Sequence, residues 1–253
     1  MADLSAAQIA YCVIVMLLAY SLRGSAGFGG AVGMPLLALV IPFKLLVPAW
    51  TLLGLASSTA ILGHEGRKVS LRAFVAFIPW CLLGIAVGLY LFATLDTTTL
   101  TRGLGALVLG YAAWTLWLIV RPAPASAPDA PPGVAARIVA PVASALAGAV
   151  GTVFGTMGSV FFAMYLDAHR VPKAQFRATV SAMLLVLSAV RGVGYFATGE
   201  FTREALLLFA AGFPLMLAGM LIGNHIHVRL SEAGFRKLIC ATLFLCGIPL
   251  LLN

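Results

Sequence analysis

Two arginines stand where a charge is expensive. Arg191 lies in Leu184-Leu185-Val186-Leu187-Ser188-Ala189-Val190-Arg191-Gly192-Val193-Gly194-Tyr195, and Arg23 closes the apolar run Ile9 to Leu22. A cation at the centre of a bilayer costs about 2.5–3.5 kcal/mol on insertion scales, so it normally has a partner. The eight carboxylates (Asp3, Glu65, Asp96, Asp129, Asp167, Glu200, Glu204 and Glu232) all fall in loops or at the ends of apolar runs. An anion that comes and goes is therefore the partner these residue types predict. The other reading has Arg191 bonding carbonyls freed by a broken helix, or either arginine reaching an edge of the membrane.

Two glycine-rich stretches sharpen the expectation. Gly24-Ser25-Ala26-Gly27-Phe28-Gly29-Gly30-Ala31-Val32-Gly33-Met34-Pro35 sits between apolar runs, and Gly155-Thr156-Met157-Gly158-Ser159 begins a later version. Gly costs roughly 1 kcal/mol relative to Ala in a helix interior. Irregular backbone at membrane depth survives only where it is buried or lines a wet cavity. The spacing thus predicts two broken helices, each followed by a short helix whose exposed N–H groups and positive dipole end favour an anion. The candidate binding set is Arg23, Arg191, Gly27, Gly29, Gly30, Gly155 and Gly158, with Ser25, Thr156 and Ser159 as hydroxyl donors. Phe28 and Tyr195 form an aromatic wall, together with Trp50, Phe154 and Phe161. The competing reading of the glycines is close helix packing of the small-xxx-small kind.

These residues need a membrane frame, and the composition supplies one. Of the 253 residues 62% are hydrophobic and 9% charged, with mean hydropathy +1.05. That excludes a soluble domain of this size and predicts an all-α polytopic membrane protein. No basic segment precedes the first run, so it is read as retained rather than as a signal peptide. The net charge of +8 is expected to orient the chain against an anionic leaflet rather than to bind nucleic acid. The predicted spans are Ile9–Leu22, Leu45–Gly63, Phe74–Phe92, Leu100–Val120, Ile138–Val153, Ala174–Thr198, Ala205–Gly223 and Ala233–Leu251. Short helices are expected over Ala31–Ile41 and Ser159–Leu166. Arg121–Gly133, with five prolines, reads as a linker between a first repeat (1–120) and a second (137–253).

The two parts match in register. Pro79, Gly84 and Gly88 correspond to Pro214, Gly219 and Gly223 at an offset of 135, and Gly27 and Gly30 correspond to Gly155 and Gly158 at 128. An insertion of seven near Asp167–Lys173 reconciles the two offsets. If each part crosses the membrane an odd number of times, eleven loop lysines and arginines fall on one side and three on the other. If each crosses four times the split is eight against six. The positive-inside rule favours the first case. The expectation is two inverted-topology repeats whose glycine-rich broken or re-entrant helices meet near the midplane, with periplasmic termini and a cytoplasmic linker.

Other chemistry is weakly supported. Cys12, Cys81, Cys240 and Cys246 lie in apolar runs and are read as packing residues. His225 and His227 do not share a helical face, so no metal site is expected. The glycines around Phe28 lack the strand–turn–helix context of a dinucleotide fingerprint. No nucleophile–base set suggests an enzyme, and no cofactor is expected.

Gly27-Phe28-Gly29-Gly30 followed by Pro35-Leu36-Leu37 resembles the signature that opens each half of the TauE/SafE family, the sulfite exporter and toluene-sulfonate uptake permease group. Gln175-Phe176-Arg177-Ala178-Thr179 and Arg191-Gly192-Val193-Gly194-Tyr195 are similar to the matching stretch of its second half. The second signature has fewer glycines, and Ala163 stands where a proline is expected. The resemblance implies an inner-membrane secondary transporter of sulfur-containing anions such as sulfite or sulfonates, a 4-toluenesulfonate-type permease being the specific expectation. A proton is the simplest coupling ion, although no embedded carboxylate is available to carry it. A passive anion channel and a non-transporting membrane subunit are the alternatives, and oligomeric state is not legible.

Overall fold

The computed structural model describes residues 5–26, 30–65, 68–120, 134–156, 158, 161–162, 165–166, 173–225 and 232–252. Those residues form helices and connecting turns, without a strand. The helices are α1 (Ala6–Ala26), α2 (Gly30–Leu37), α3 (Phe43–Glu65), α4 (Leu71–Thr94), α5 (Thr97–Val120), α6 (Val134–Phe154), α7 (Lys173–Ala197), α8 (Arg203–His225) and α9 (Glu232–Leu252). Five of them, α1, α3, α4, α7 and α8, are long and apolar enough to cross a membrane. Helices satisfy their own backbone groups, which hydrocarbon cannot do. The protein is a polytopic all-α membrane protein, as its composition predicts. The Arg121–Gly133 linker lies outside the described residues.

The chain enters α1 through a capping box: Ser5 N–H donates to Gln8 Oε1 at 2.9 Å and Gln8 N–H to Ser5 Oγ at 3.3 Å. Large apolar side chains such as Val75 on α4, Val193 and Phe196 on α7 and Leu221 on α8 face outward, as a lipid-facing surface requires. The α3 span is 61% buried, against 28% for the spans of α1, α4 and α8. Helix α3 is the centre, and everything that matters below touches it.

Gly24-Ser25-Ala26 continue α1, and Gly30–Leu37 form the short helix expected over Ala31–Ile41; residues 27–29 between them lie outside the described residues. Tertiary contact outweighs propensity here. A Cβ on Gly24 would lie 2.8 Å from Met220 O of α8, and one on Gly33 2.5 Å from Ala19 Cβ of α1. Close packing, the competing reading, accounts for these two glycines. Helix α2 runs back along α1, with Gly33 against Ala19 and Tyr11 Oη donating to Leu36 O at 3.1 Å. At about 1.5 Å per residue its eight residues are far too short to span.

Glycine also sets the two tightest seams, α4 on α6 and α8 on α1. A Cβ on Gly84 would lie 2.0 Å from Ala145 O, and one on Gly88 2.8 Å from Ala149 O. On the other seam a Cβ on Gly219 would lie 2.9 Å from Leu17 O, and one on Gly223 2.1 Å from Ser21 O. The residues correspond across the seams: 84 and 88 become 219 and 223 at 135, while 145 and 149 become 17 and 21 at 128. Each seam pairs a helix of one part of the chain with a helix of the other.

Candidate functional site: a buried guanidinium pair

Arg23 and Arg191 are both interior, 7% and 3% exposed, so neither side chain reaches the protein surface. They converge on Gly54 of α3. Arg23, near the end of α1, donates from Nη2 to Ser58 Oγ at 2.7 Å and to Gly54 O at 3.4 Å. A Cβ on Gly54 would lie 3.8 Å from Arg191 Nη2 and 3.1 Å from Ser188 Oγ, both on α7. Glycine at 54 lets α3 and α7 approach closely enough for both guanidiniums to reach one place.

Arg191 has a second duty. Its Nη1 donates to Gly151 O, and one turn later Tyr195 Oη donates to Thr152 O. Both carbonyls belong to the last turn of α6, which ends at Phe154, where carbonyls lack helical partners. A cation at that end also meets the negative pole of the helix dipole. The carbonyl-bonding alternative read from sequence is therefore realised by one nitrogen of Arg191.

The rest of each guanidinium is not used up. Nε of Arg23 and Nε of Arg191 are buried without a hydrogen-bond partner. Among the described residues no carboxylate is buried; the buried polar set is two arginines with serines and threonines. Removing an ion from water costs several kcal/mol unless charge and hydrogen bonds compensate. Carbonyls and hydroxyls supply hydrogen bonds here but no net negative charge. Tyr20 lies within electrostatic reach of both arginines, and its ring stands 5.3 Å from that of Trp50.

Of the other expected site residues, Tyr195 is fully buried against Phe92 and Phe201. Thr156 is buried. Gly155 follows the end of α6 with φ +66°, a left-handed conformation that favours glycine. Gly158 is packed near Gly151 and Ala147 O. Gly27, Phe28, Gly29 and Ser159 lie outside the described residues; Ser25 and Gly30 are described as helical backbone only. Trp50 stacks on Tyr20 beside the pair, whereas Phe154 packs on Phe43, further along the core. Sequence reasoning missed Gly54, Ser58, Ser188 and Gly151. The signal for Ser188 was present, since it lies three residues before Arg191 and shares its helical face.

A bundle of apolar helices enclosing two cations and, among the described residues, no acid defines a membrane protein built around an anion-compatible interior. The family model described as sulfite exporter TauE/SafE matches residues 12–250, and the chain belongs to that family. It is 26% identical over 189 residues to a protein described as "Probable inner membrane transporter protein TsaS" from Comamonas testosteroni, covering 74% of this chain and 75% of the relative. No solved structure matches the chain. At family level the chain is a membrane transporter of sulfur-containing anions.

Proposed function

We propose that the chain is a secondary transporter that carries organic or inorganic sulfur-containing anions, sulfonates or sulfite, across the cytoplasmic membrane by alternating access. The observation that carries the reading is the meeting of Arg23 and Arg191 at Gly54 with both Nε atoms unpartnered and no buried carboxylate among the described residues. A bound oxyanion supplies the missing negative charge and accepts from nitrogens the chain does not use.

The frame of the proposal is two inverted halves, residues 1–120 and 137–253, joined by a cytoplasmic linker. It is supported by the loop charge asymmetry and by the two glycine seams that repeat at the same offsets. Rocking of one repeat against the other around a fixed site is the motion such halves allow. An interior-negative potential opposes anion entry by about 2.3 kcal/mol per charge per 100 mV, so uptake needs a coupled cation, most simply a proton, or a steep inward gradient, and export needs neither.

The test is thermal stabilisation of the purified protein by a panel of anions, alongside Arg191→Ala and Arg23→Ala. Anion-dependent stabilisation that both variants lose supports the site. Equal shifts in all three proteins overturn it. In proteoliposomes, saturable flux accelerated by anion on the opposite side supports a carrier, whereas a large unitary conductance makes the protein a channel.

A further inference from the structure

The two parts of the chain match in register but not in volume. At one junction between the parts, Phe77 of α4 packs against Phe162 and Tyr165, each with ring centroids 5.3 Å away, and all three rings are buried. The corresponding positions at the other junction are Gly212 of α8 at offset 135, and Met34 and Leu37 of α2 at offset 128. Three rings on one side are matched by a glycine and two aliphatic side chains on the other.

A cavity of roughly 250 Å³ lies where that volume is missing, lined by Met16 of α1, Leu37, Trp50 and Leu53 of α3, and Leu208 and Gly212 of α8. The positions matching Leu208, Gly212 and Leu37 are Ala73 and Phe77 of the first part and Tyr165 of the second, and these belong to a filled core cluster. The lining is apolar, and a dry apolar cavity of about 150 Å³ is already large enough to take benzene.

Its position ties it to the arginines. Trp50 lies one helical turn before Gly54 and faces Tyr20, while Leu53 immediately precedes Gly54. Along α3 the separation is about 6 Å at 1.5 Å per residue. We infer that this cavity receives the apolar body of the transported anion while its charged head sits at Arg23 and Arg191, so the protein selects amphipathic organic anions over small inorganic ones. The inference rests on the arginine pair being the anion site.

Burying each further methylene is worth about a fourfold gain in affinity. Dissociation constants are to be measured for straight-chain alkanesulfonates, from methanesulfonate upward, on the full-length protein in nanodiscs. The expected result is a stepwise tightening of about fourfold per carbon until the cavity is full. Gly212→Phe, which restores the ring present in the other half, is expected to flatten that slope and leave methanesulfonate unchanged. The new Cβ meets only the mobile ends of Met16 and Leu53. Bound methanesulfonate with no chain-length dependence in the wild type overturns the inference and leaves the arginine site standing. So does an equal slope in Gly212→Phe, which marks partition into the surrounding lipid. No binding by any member overturns both. Should Gly212→Phe fold poorly, empty nanodiscs of the same lipid supply the partition slope, and a wild-type slope no steeper than that blank overturns the inference.

Discussion

Arg23 and Arg191 meet at one residue, and among the described residues neither has an acid: Arg23 Nη2 lies 3.4 Å from Gly54 O, and Arg191 Nη2 lies 3.8 Å from where a Cβ of Gly54 would be. The glycine joins them because its carbonyl accepts from Arg23 while its missing side chain leaves room for Ser188 and Arg191. Gly54→Ala places a methyl 3.1 Å from Ser188 Oγ, which a small movement of the serine absorbs. Gly54→Leu does not fit. The expected outcome is a modest loss of anion affinity for alanine and a loss of at least tenfold for leucine, read from anion-dependent shifts in melting temperature.

The arginines are expected to differ in what they do for the empty protein. Arg23→Met removes a cation whose burial no acid offsets, at the loss of hydrogen bonds to Ser58 and Gly54. Arg191→Met leaves the last-turn carbonyl of Gly151 in α6 without its partner, at about 1–3 kcal/mol, whereas the carbonyl that Arg23 releases, Gly54 O, lies mid-helix in α3. Arg191→Met is therefore the less stable of the two without anion. Both lose the anion-dependent stabilisation, which reaches about 2.7 kcal/mol in the wild type at a ligand concentration 100 times Kd. Equal melting temperatures for the two variants would count against the capping role.

The glycine seams make a paired prediction. Gly84→Ala forces a methyl to 2.0 Å from a backbone oxygen, whereas Gly219→Ala brings it only to 2.9 Å. Overpacking of this kind costs typically about 1–3 kcal/mol. Gly84→Ala is expected at the upper end and Gly219→Ala at the lower, with Gly223→Ala (2.1 Å) resembling Gly84. Denaturation in a fixed detergent ranks them.

At the surface, Asp96 begins α5. Its Oδ1 accepts from Thr99 Oγ1 at 2.6 Å and its Oδ2 from Thr99 N–H at 3.0 Å. These bonds hold the carboxyl below its usual range, the side-chain bond contributing most. Because the folded value is the lower one, the stabilisation is fully present above the ordinary Asp pKa of about 3.9. It is lost as pH falls through the lowered value. Asp96→Asn is expected to flatten the stability profile in that acid range and to leave neutral anion binding alone. A wild-type profile that already lacks the slope would refute this.

How much of this was legible beforehand follows from the physics of each feature. Hydropathy alone located the helices, because a span must be apolar over its whole length: Phe74–Phe92 became Leu71–Thr94 and Ala205–Gly223 became Arg203–His225. Arg191 was legible because it interrupts such a run. Gly54 and Ser58 were not. A glycine and a serine inside a span read as packing residues, and what makes them part of a site is the approach of α1 and α7, which no local pattern records. Within the Gly24–Pro35 stretch the packing role of Gly24 and Gly33 was hidden for the same reason, since it rests on the neighbours they touch, Met220 and Ala19. The cavity beside Gly212 was written in the register of the repeats, as Phe77 against Gly212, but only packing shows that nothing else fills the space.

Arg191 already holds Gly151 at the end of α6. On the proposed function, a solute that draws this guanidinium away competes with the protein's own carbonyl, and its net affinity is what remains after the loss of that contact. A carrier profits from such rivalry. Conduction requires binding favourable enough to enter and weak enough to leave, and an internal competitor sets that ceiling whichever side of the membrane the solute came from.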